Sequence, residues 1–157
     1  MKNIQQKQES ETYQRSRDKQ RESDDKPPNS IKKIGITFNL KEDVLFPGEV
    51  DSEQIEELDN PETIIALCTV FEKHGFETIT LGGDINIVEK IKHEKPDFVF
   101  NIAEGYYGRN RESHIPSILE MMHIPFSGSD PFTSALCLDK SMMKNMLNQC
   151  SIPTPHY

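Results

Sequence analysis

Short apolar runs alternate with amphipathic segments from residue 31 onward, and this pattern predicts the secondary structure. The runs at 34–38, 76–81, 98–102 and 124–127 have the length and composition of β-strands. Between them, apolar residues recur every three or four positions, as on one face of a helix. Strands that alternate with helices form parallel sheets through right-handed crossovers. The pattern therefore predicts an α/β fold with an open, mostly parallel four-stranded sheet flanked by helices, similar to Rossmann-like domains.

Start and stop signals locate the helices between these strands. Asn60 is a suitable N-cap residue for the first helix, and His74-Gly75 ends its apolar pattern. In the second helix, Ile85, Val88 and Ile91 have the spacing of one face. We expect that face to be buried against the sheet.

The first thirty residues differ in composition from the remainder. They contain seven basic and six acidic side chains, with Ile4 and Tyr13 as the main apolar groups after the starting Met. Such a segment buries too little apolar surface to offset its loss of conformational entropy. The composition predicts a disordered charged tail over residues 1–30 and one folded domain over residues 31–157.

The charge of the chain limits its partners and its compartment. The net charge is −8, and residues 31–157 contain 20 acidic against 11 basic side chains. Nucleic-acid binding requires a basic surface, so we expect no nucleic-acid partner. The sequence contains no apolar run of membrane-spanning length and no secretory signal, which predicts a cytoplasmic protein without a membrane segment.

The cysteines and histidines do not indicate a metal site. Cys68, Cys137 and Cys150 lack C-x-x-C spacing, and the five histidines form no zinc-like cluster. Cys68 and Cys137 lie in apolar helical patterns, so we expect them to be small buried hydrophobic residues in a reducing compartment.

Three charged residues lie in the loop after the third strand, at the edge of the sheet where open parallel sheets bind ligands. Glu104 follows the strand directly and either contacts a small ligand or stabilises the turn. Arg109 and Arg111 precede the next helix, where an arginine and free backbone N–H groups can bind an anion. The alternative is that Arg109 and Arg111 form ion pairs with Glu104, Glu112 or the acidic loop after the first strand.

The loop after the fourth apolar run is a further candidate binding element. Ser129, in the sequence Ser127-Gly128-Ser129, is a candidate hydrogen-bond donor to a ligand, although a tight strand-to-helix turn is the simpler interpretation. No Gly-x-Gly-x-x-Gly or Walker A sequence is present, which argues against a dinucleotide-binding domain.

Four sequence elements between Asp97 and Pro155 occur in an order that resembles the N-terminal domain of the D-alanine–D-alanine ligases, which belong to the ATP-grasp group. The elements are Phe-Asn-x-x-x-Gly at 100–105, Ile-Pro-x-x-Gly-Ser at 124–129, Ser-Ala-x-x-x-Asp-Lys at 134–140 and Ile-Pro-Thr-Pro at 152–155. The resemblance implies a pre-ATP-grasp substrate-side domain of a cell-wall enzyme that uses ATP to join a carboxylate to an amine.

The same resemblance implies roles for individual residues. Glu57 lies roughly where the family holds the amino group of its first amino acid, and a solvated acidic loop is the alternative. Glu104 occupies the place of the family's histidine, which departs from the D-alanine pattern. Lys140 matches the lysine that faces the nucleotide phosphates. The resemblance assigns ATP and magnesium only to the full-length family, so no catalytic residue or cofactor is expected in this chain.

Three hypotheses follow. The first is a ligase-like substrate-side domain that lacks its ATP-grasp portion and is inactive alone. In that case the apolar side chains of the last helix, Met142, Met143, Met146 and Leu147, are expected to be exposed and to cause self-association. The second is a free-standing small-molecule-binding or regulatory domain that docks on a separate ATP-grasp subunit. The third, a signalling domain, is disfavoured because Asp97 precedes its strand rather than following it.

Overall fold

The computed structural model describes residues 31–43 and 52–155, with the backbone alone for residues 52–54. The tail predicted for residues 1–30 and most of the acidic loop after the first strand lie outside the described residues. The division into a tail and a domain over 31–157 therefore stays a prediction.

The described sheet has three parallel strands: β1 (Lys33–Thr37), β2 (Glu77–Thr80) and β3 (Phe98–Asn101). Their order is β2–β1–β3, and β1 pairs in parallel with both neighbours. This arrangement confirms the α/β class and the parallel sheet. From the central strand β1 the chain continues to β2 at one edge of the described sheet. It then passes β1 again and forms β3 at the opposite edge.

The predicted fourth strand at 124–127 is absent from the described residues as a full strand. One isolated parallel bridge joins Val99 to Phe126, flanked by bonds from the Val99 N–H to the Pro125 carbonyl and from the Ser127 N–H to the Val99 carbonyl, both 2.9 Å. The next donor along β3, the Asn101 N–H, bonds to the Ser127 hydroxyl at 2.9 Å instead of to a carbonyl. The side chain of Ser127 therefore ends the pairing after one residue.

Within residues 31–43 and 52–155, six helices and two 3₁₀ turns surround the sheet. The helices are α1 (Ser52–Glu57), α2 (Pro61–Lys73), α3 (Ile87–Glu94), α4 (His114–Met121), α5 (Pro131–Leu138) and α6 (Lys140–Gln149), and the turns are Lys41–Asp43 and Arg111–Ser113. Asn60 caps α2 as predicted, because its Oδ1 accepts the Thr63 N–H at 3.0 Å. Gly75, with φ +86°, follows the end of α2.

The prediction that Ile85 lies on the buried face of the second helix was wrong. Ile85 is 94% exposed, whereas Ile87 and Ile91 are each 2% exposed. The Asp84 carboxylate accepts the Asn86 N–H at 2.7 Å and closes a turn before the helix. Because α3 begins only at Ile87, helical spacing does not extend back to Ile85.

Helices cover both faces of the sheet. On one face, Val99 packs in a cluster with residues of α3 and α4, including Ile91 and Leu119. On the other face, the Phe100 ring lies 5.3 Å from the Phe71 ring of α2, because neighbouring residues of a strand point to opposite sides. Beyond this core, α5 packs on the turn at Arg111–Ser113 and α6 packs on α5.

Candidate functional site

The connections after β1 and β3 diverge at the carboxyl edge of the sheet, which is the topological switch point where open α/β sheets bind ligands. Asn39 joins the loops at this edge and is fully buried. Its Oδ1 accepts the Gly105 N–H at 2.7 Å, and its Nδ2 donates to the Gly83 carbonyl at 3.4 Å. Its backbone carbonyl accepts the Asp59 N–H at 2.9 Å. One residue thus connects the loops that follow all three described strands.

Gly105 brings the Glu104 loop against the turn that contains Arg111. Its φ is +73°, and a Cβ at this position would lie 2.5 Å from the Arg111 carbonyl oxygen. Both the backbone conformation and the close approach require glycine here. The backbone position of Glu104 is therefore set by its neighbour in sequence.

Arg111 lies in the centre of an acidic cluster, defined here as Glu57, Asp59, Glu104 and Glu112. The arginine is 7% exposed. Its Nη2 lies 2.8 Å from the Glu57 Oε2 and 3.6 Å from the Glu112 Oε1. Glu57 and Glu112 pair with the guanidinium and Glu104 interacts with its charge, so the acidic cluster has an excess of negative charge when all its members are ionised.

Burial and charge both act on Glu104. Burial raises the pKa of the Glu104 carboxyl, and the negative charges of Glu112 and Glu57 raise it further, while Arg111 opposes them. No hydrogen bond or ion pair from another described residue reaches this carboxylate. Glu104 is therefore a half-buried acid whose proton affinity would fall if a cation bound to it.

Asp59 has a related environment at the edge of the acidic cluster. Burial raises the pKa of its carboxyl, and a hydrogen bond from the Asn39 backbone lowers it. The Oδ2 atom of Asp59 is buried and has no hydrogen-bond partner among the described residues. A buried carboxylate oxygen without a donor is unfavourable, and an added donor at this edge would relieve that cost.

The other predicted site residues lie apart from the acidic cluster. Arg109 is exposed and donates a hydrogen bond to Asp139, which precedes α6. Lys140 is the exposed first residue of α6, and Ser129 is exposed immediately before Asp130, the N-cap of α5. Within the described part of the chain, neither Lys140 nor Ser129 has a hydrogen bond or ion pair to the acidic cluster.

The structure thus brings together Glu57, Glu104 and Arg111. Arg111 pairs with Glu57 and Glu112, as the alternative predicted, whereas Arg109 pairs with Asp139, which was not among the predicted partners. Sequence reasoning missed Asn39 and Asp59, which have no motif around them. The available signal for Asn39 was its position at the carboxyl end of β1, where a buried polar residue must bond to a neighbouring loop.

The described residues show no group of three or more His, Cys, Asp and Glu side chains arranged to hold a metal ion. Within the same ranges, no helix is both long enough and apolar enough to cross a membrane. The expectation that Cys137 is buried was wrong, because it lies exposed on α5, whereas Cys68 is partly buried.

The parallel sheet flanked by helices defines the class, an α/β domain with charged loops at the carboxyl edge of its sheet. No family model matches the sequence. The chain is 40% identical over 92 residues to a D-alanine–D-alanine ligase of Carboxydothermus hydrogenoformans. The aligned residues cover 59% of this chain and 29% of the relative. It is 31% identical over 120 residues to the D-alanine–D-alanine ligase of Pelotomaculum thermopropionicum. The aligned residues cover 76% of this chain and 36% of that relative.

A solved structure supports the same relationship. The D-alanine–D-alanine ligase of Bacillus anthracis complexed with ATP matches with a TM-score of 0.52 and 25% identity, over 82% of this chain and 38% of that chain. Over 59% to 76% of its length, the chain is therefore similar to D-alanine–D-alanine ligases. It spans about a third of the length of the curated relatives, at 29% and 36% of the two described above.

Proposed function

We propose that this chain provides the N-terminal, substrate-side domain of an ATP-dependent carboxylate–amine ligase, and that its acidic cluster binds the ammonium group of a small amino acid. The observation that carries the proposal is Glu104, a half-buried carboxylate at the switch point without a bonded partner among the described residues. The relationship to the ligases supplies the reaction class.

An ammonium group suits the acidic cluster better than an anion does. The negative charges of Glu57 and Glu112 already disfavour ionised Glu104, so a bound cation would stabilise three carboxylates at once. The Glu57 carboxylate is half-exposed and holds Arg111, which makes it a supporting member of the cluster. A substrate carboxylate would be repelled unless another part of the enzyme neutralised it.

The acidic cluster is not suited to bind a nucleoside triphosphate, because its carboxylates repel the negatively charged phosphates. Lys140, exposed at the start of α6, is the residue proposed to face nucleotide phosphates in the assembled enzyme. ATP and magnesium are assigned to the full-length ligases, and this chain alone is proposed to have no ATP turnover. Measurable ATP hydrolysis by the purified 157-residue chain with D-alanine and magnesium would refute that part of the proposal.

Ligand binding is tested by NMR titration of the ¹⁵N-labelled 157-residue chain with D-alanine. We expect shifts in the amides of Glu104 and Gly105, and we expect Glu104→Gln to weaken binding because the amide removes the negative charge. Glu120→Gln, a change at an exposed glutamate of α4, is the matched control and should bind as the unmodified chain does. Absence of any shift with D-alanine, L-alanine and alaninamide would contradict the proposal.

A free-standing domain that docks on a separate ATP-grasp subunit is the other arrangement considered. The DNA that follows the coding region distinguishes the two. An in-frame ATP-grasp continuation supports a single ligase chain, whereas a separate neighbouring ATP-grasp gene supports a docking domain.

A further inference from the structure

We propose that Asn39 is a positioning residue that sets the orientation of Glu104 through Gly105. This inference rests on the proposed function, because it concerns the carboxylate that is proposed to receive the ligand's ammonium group. The residue is fully buried at the carboxyl end of β1. Its proposed role follows from the two hydrogen bonds that its side-chain amide makes to the Gly105 and Gly83 backbones.

The first step is the bond from the Gly105 N–H to the Asn39 Oδ1. At 2.7 Å it is a short hydrogen bond between buried groups, and losing its acceptor would leave a buried backbone donor unsatisfied. Gly105 is confined on its other side by the Arg111 backbone. The peptide that joins Glu104 to Gly105 is therefore fixed by two contacts, of which Asn39 provides the polar one.

The second step is the set of bonds that hold Asn39 itself. Its Nδ2 reaches the Gly83 carbonyl in the loop after β2, and its backbone carbonyl accepts the Asp59 N–H. A Cβ on Gly83 would lie 2.9 Å from the Asn39 Nδ2, so the side chain has no room to turn. Asn39 consequently links the positions of Asp59 and Glu104, two members of the acidic cluster.

The experiment compares Asn39→Ala with Asn39→Asp in the 157-residue chain. The alanine removes the acceptor, so the Gly105 amide proton should shift upfield and exchange faster, and D-alanine affinity should fall about tenfold or more. The aspartate keeps the acceptor oxygen for the Gly105 N–H but loses the donor to the Gly83 carbonyl, so the Gly105 amide signal should return part of the way to its original position. Ile91→Val, a core change in α3, is the control that lowers stability without touching the loop.

A second variant covers the case in which Asn39→Ala does not fold. Gly83→Ala crowds the Asn39 amide and should move the same Gly105 signal. The inference is overturned if Asn39→Ala leaves the Gly105 signal unchanged, or if Ile91→Val moves it equally. If the unmodified chain binds none of D-alanine, L-alanine and alaninamide while the Gly105 signal responds as expected, the proposed function fails and the positioning of Glu104 by Asn39 stands.

Discussion

Asp139 binds Arg109 through one carboxylate oxygen and caps α6 through the other. The Oδ2 atom accepts a hydrogen bond from the Arg109 guanidinium, and the Oδ1 atom accepts the Met142 N–H at 3.0 Å. One side chain therefore fixes the start of α6 to the loop after β3. Lys140, the residue proposed to face nucleotide phosphates, is held next to this junction.

Asp139 should make stability depend on acid pH. Its bond from the Met142 N–H and its pairing with Arg109 lower the pKa of the carboxyl. A lowered pKa means that this stabilisation is present above the unfolded-state pKa and is lost as pH falls through the folded-state pKa. We expect Asp139→Ala to unfold more readily than the original chain at neutral pH, and the difference to disappear in acid. An unchanged difference in acid denaturation curves would contradict this.

Replacing Gly105 by alanine should destabilise the domain more than the same change at Gly75. Both glycines have positive φ, +73° and +86°, and each alanine variant incurs about 1 kcal/mol or more for that conformation. Only Gly105 adds a clash, with the Arg111 backbone, whereas nothing lies within 4 Å of a Cβ at Gly75. Overpacking contributes about 1–3 kcal/mol more. Equal urea midpoints for the two variants would contradict the close approach.

Removing Arg111 should cost more stability than removing the charge of Glu57. The arginine side chain is 9% exposed and lies among carboxylates, whereas the glutamate is 55% exposed. We expect Arg111→Gln to lower the unfolding free energy by about 2–3 kcal/mol at neutral pH, since it leaves partly buried carboxylates unpaired. Glu57→Gln should cost about 1 kcal/mol or less. Denaturant unfolding of both single variants and the double variant measures the coupling.

Glu104 should make the domain less stable as pH rises. Burial raises the pKa of its carboxyl above the unfolded-state value, so the folded state binds the proton more tightly. Stability from this group is full below the unfolded-state pKa and is lost as pH rises through the folded-state pKa. Glu104→Gln removes that loss, so the variant should match the original chain in acid and be the more stable one at neutral pH. Thermal melts over that pH range provide the measurement, and a less stable variant at neutral pH would be the contrary result.

The exposed methionines of α6 are expected to cause self-association of the purified chain. Met142 and Met146 are exposed one turn apart, as predicted, whereas Met143 and Leu147 are only partly exposed. Changing Met142 and Met146 to lysine should shift sedimentation profiles toward monomer. Ile85→Lys, at an isolated exposed side chain between β2 and α3, should leave the profile unchanged. A monomeric original chain at high concentration would contradict the prediction.

The sequence by itself determined the elements that depend on local chemistry. The cap at Asn60 and the glycine after α2 follow from residue types that satisfy helix ends, and these were predicted correctly. The parallel α/β class follows from the alternation of strands and helices. The family resemblance after Asp97 came from short motifs, and comparison with known proteins confirmed it.

Tertiary structure decided what depends on partners distant in sequence. Ser127 ends the pairing of the fourth segment by bonding to Asn101, which no local pattern encodes. In the sequence, Arg111 was one of several charged candidates. The fold brings its Nη2 atom to 2.8 Å from the Oε2 atom of Glu57, which is 54 residues away. Asn39 had no motif at all, and its contact with Gly105 spans 66 residues. Local propensity acts through neighbours in the chain, whereas burial and hydrogen bonding at a strand edge depend on which loops the sheet brings together.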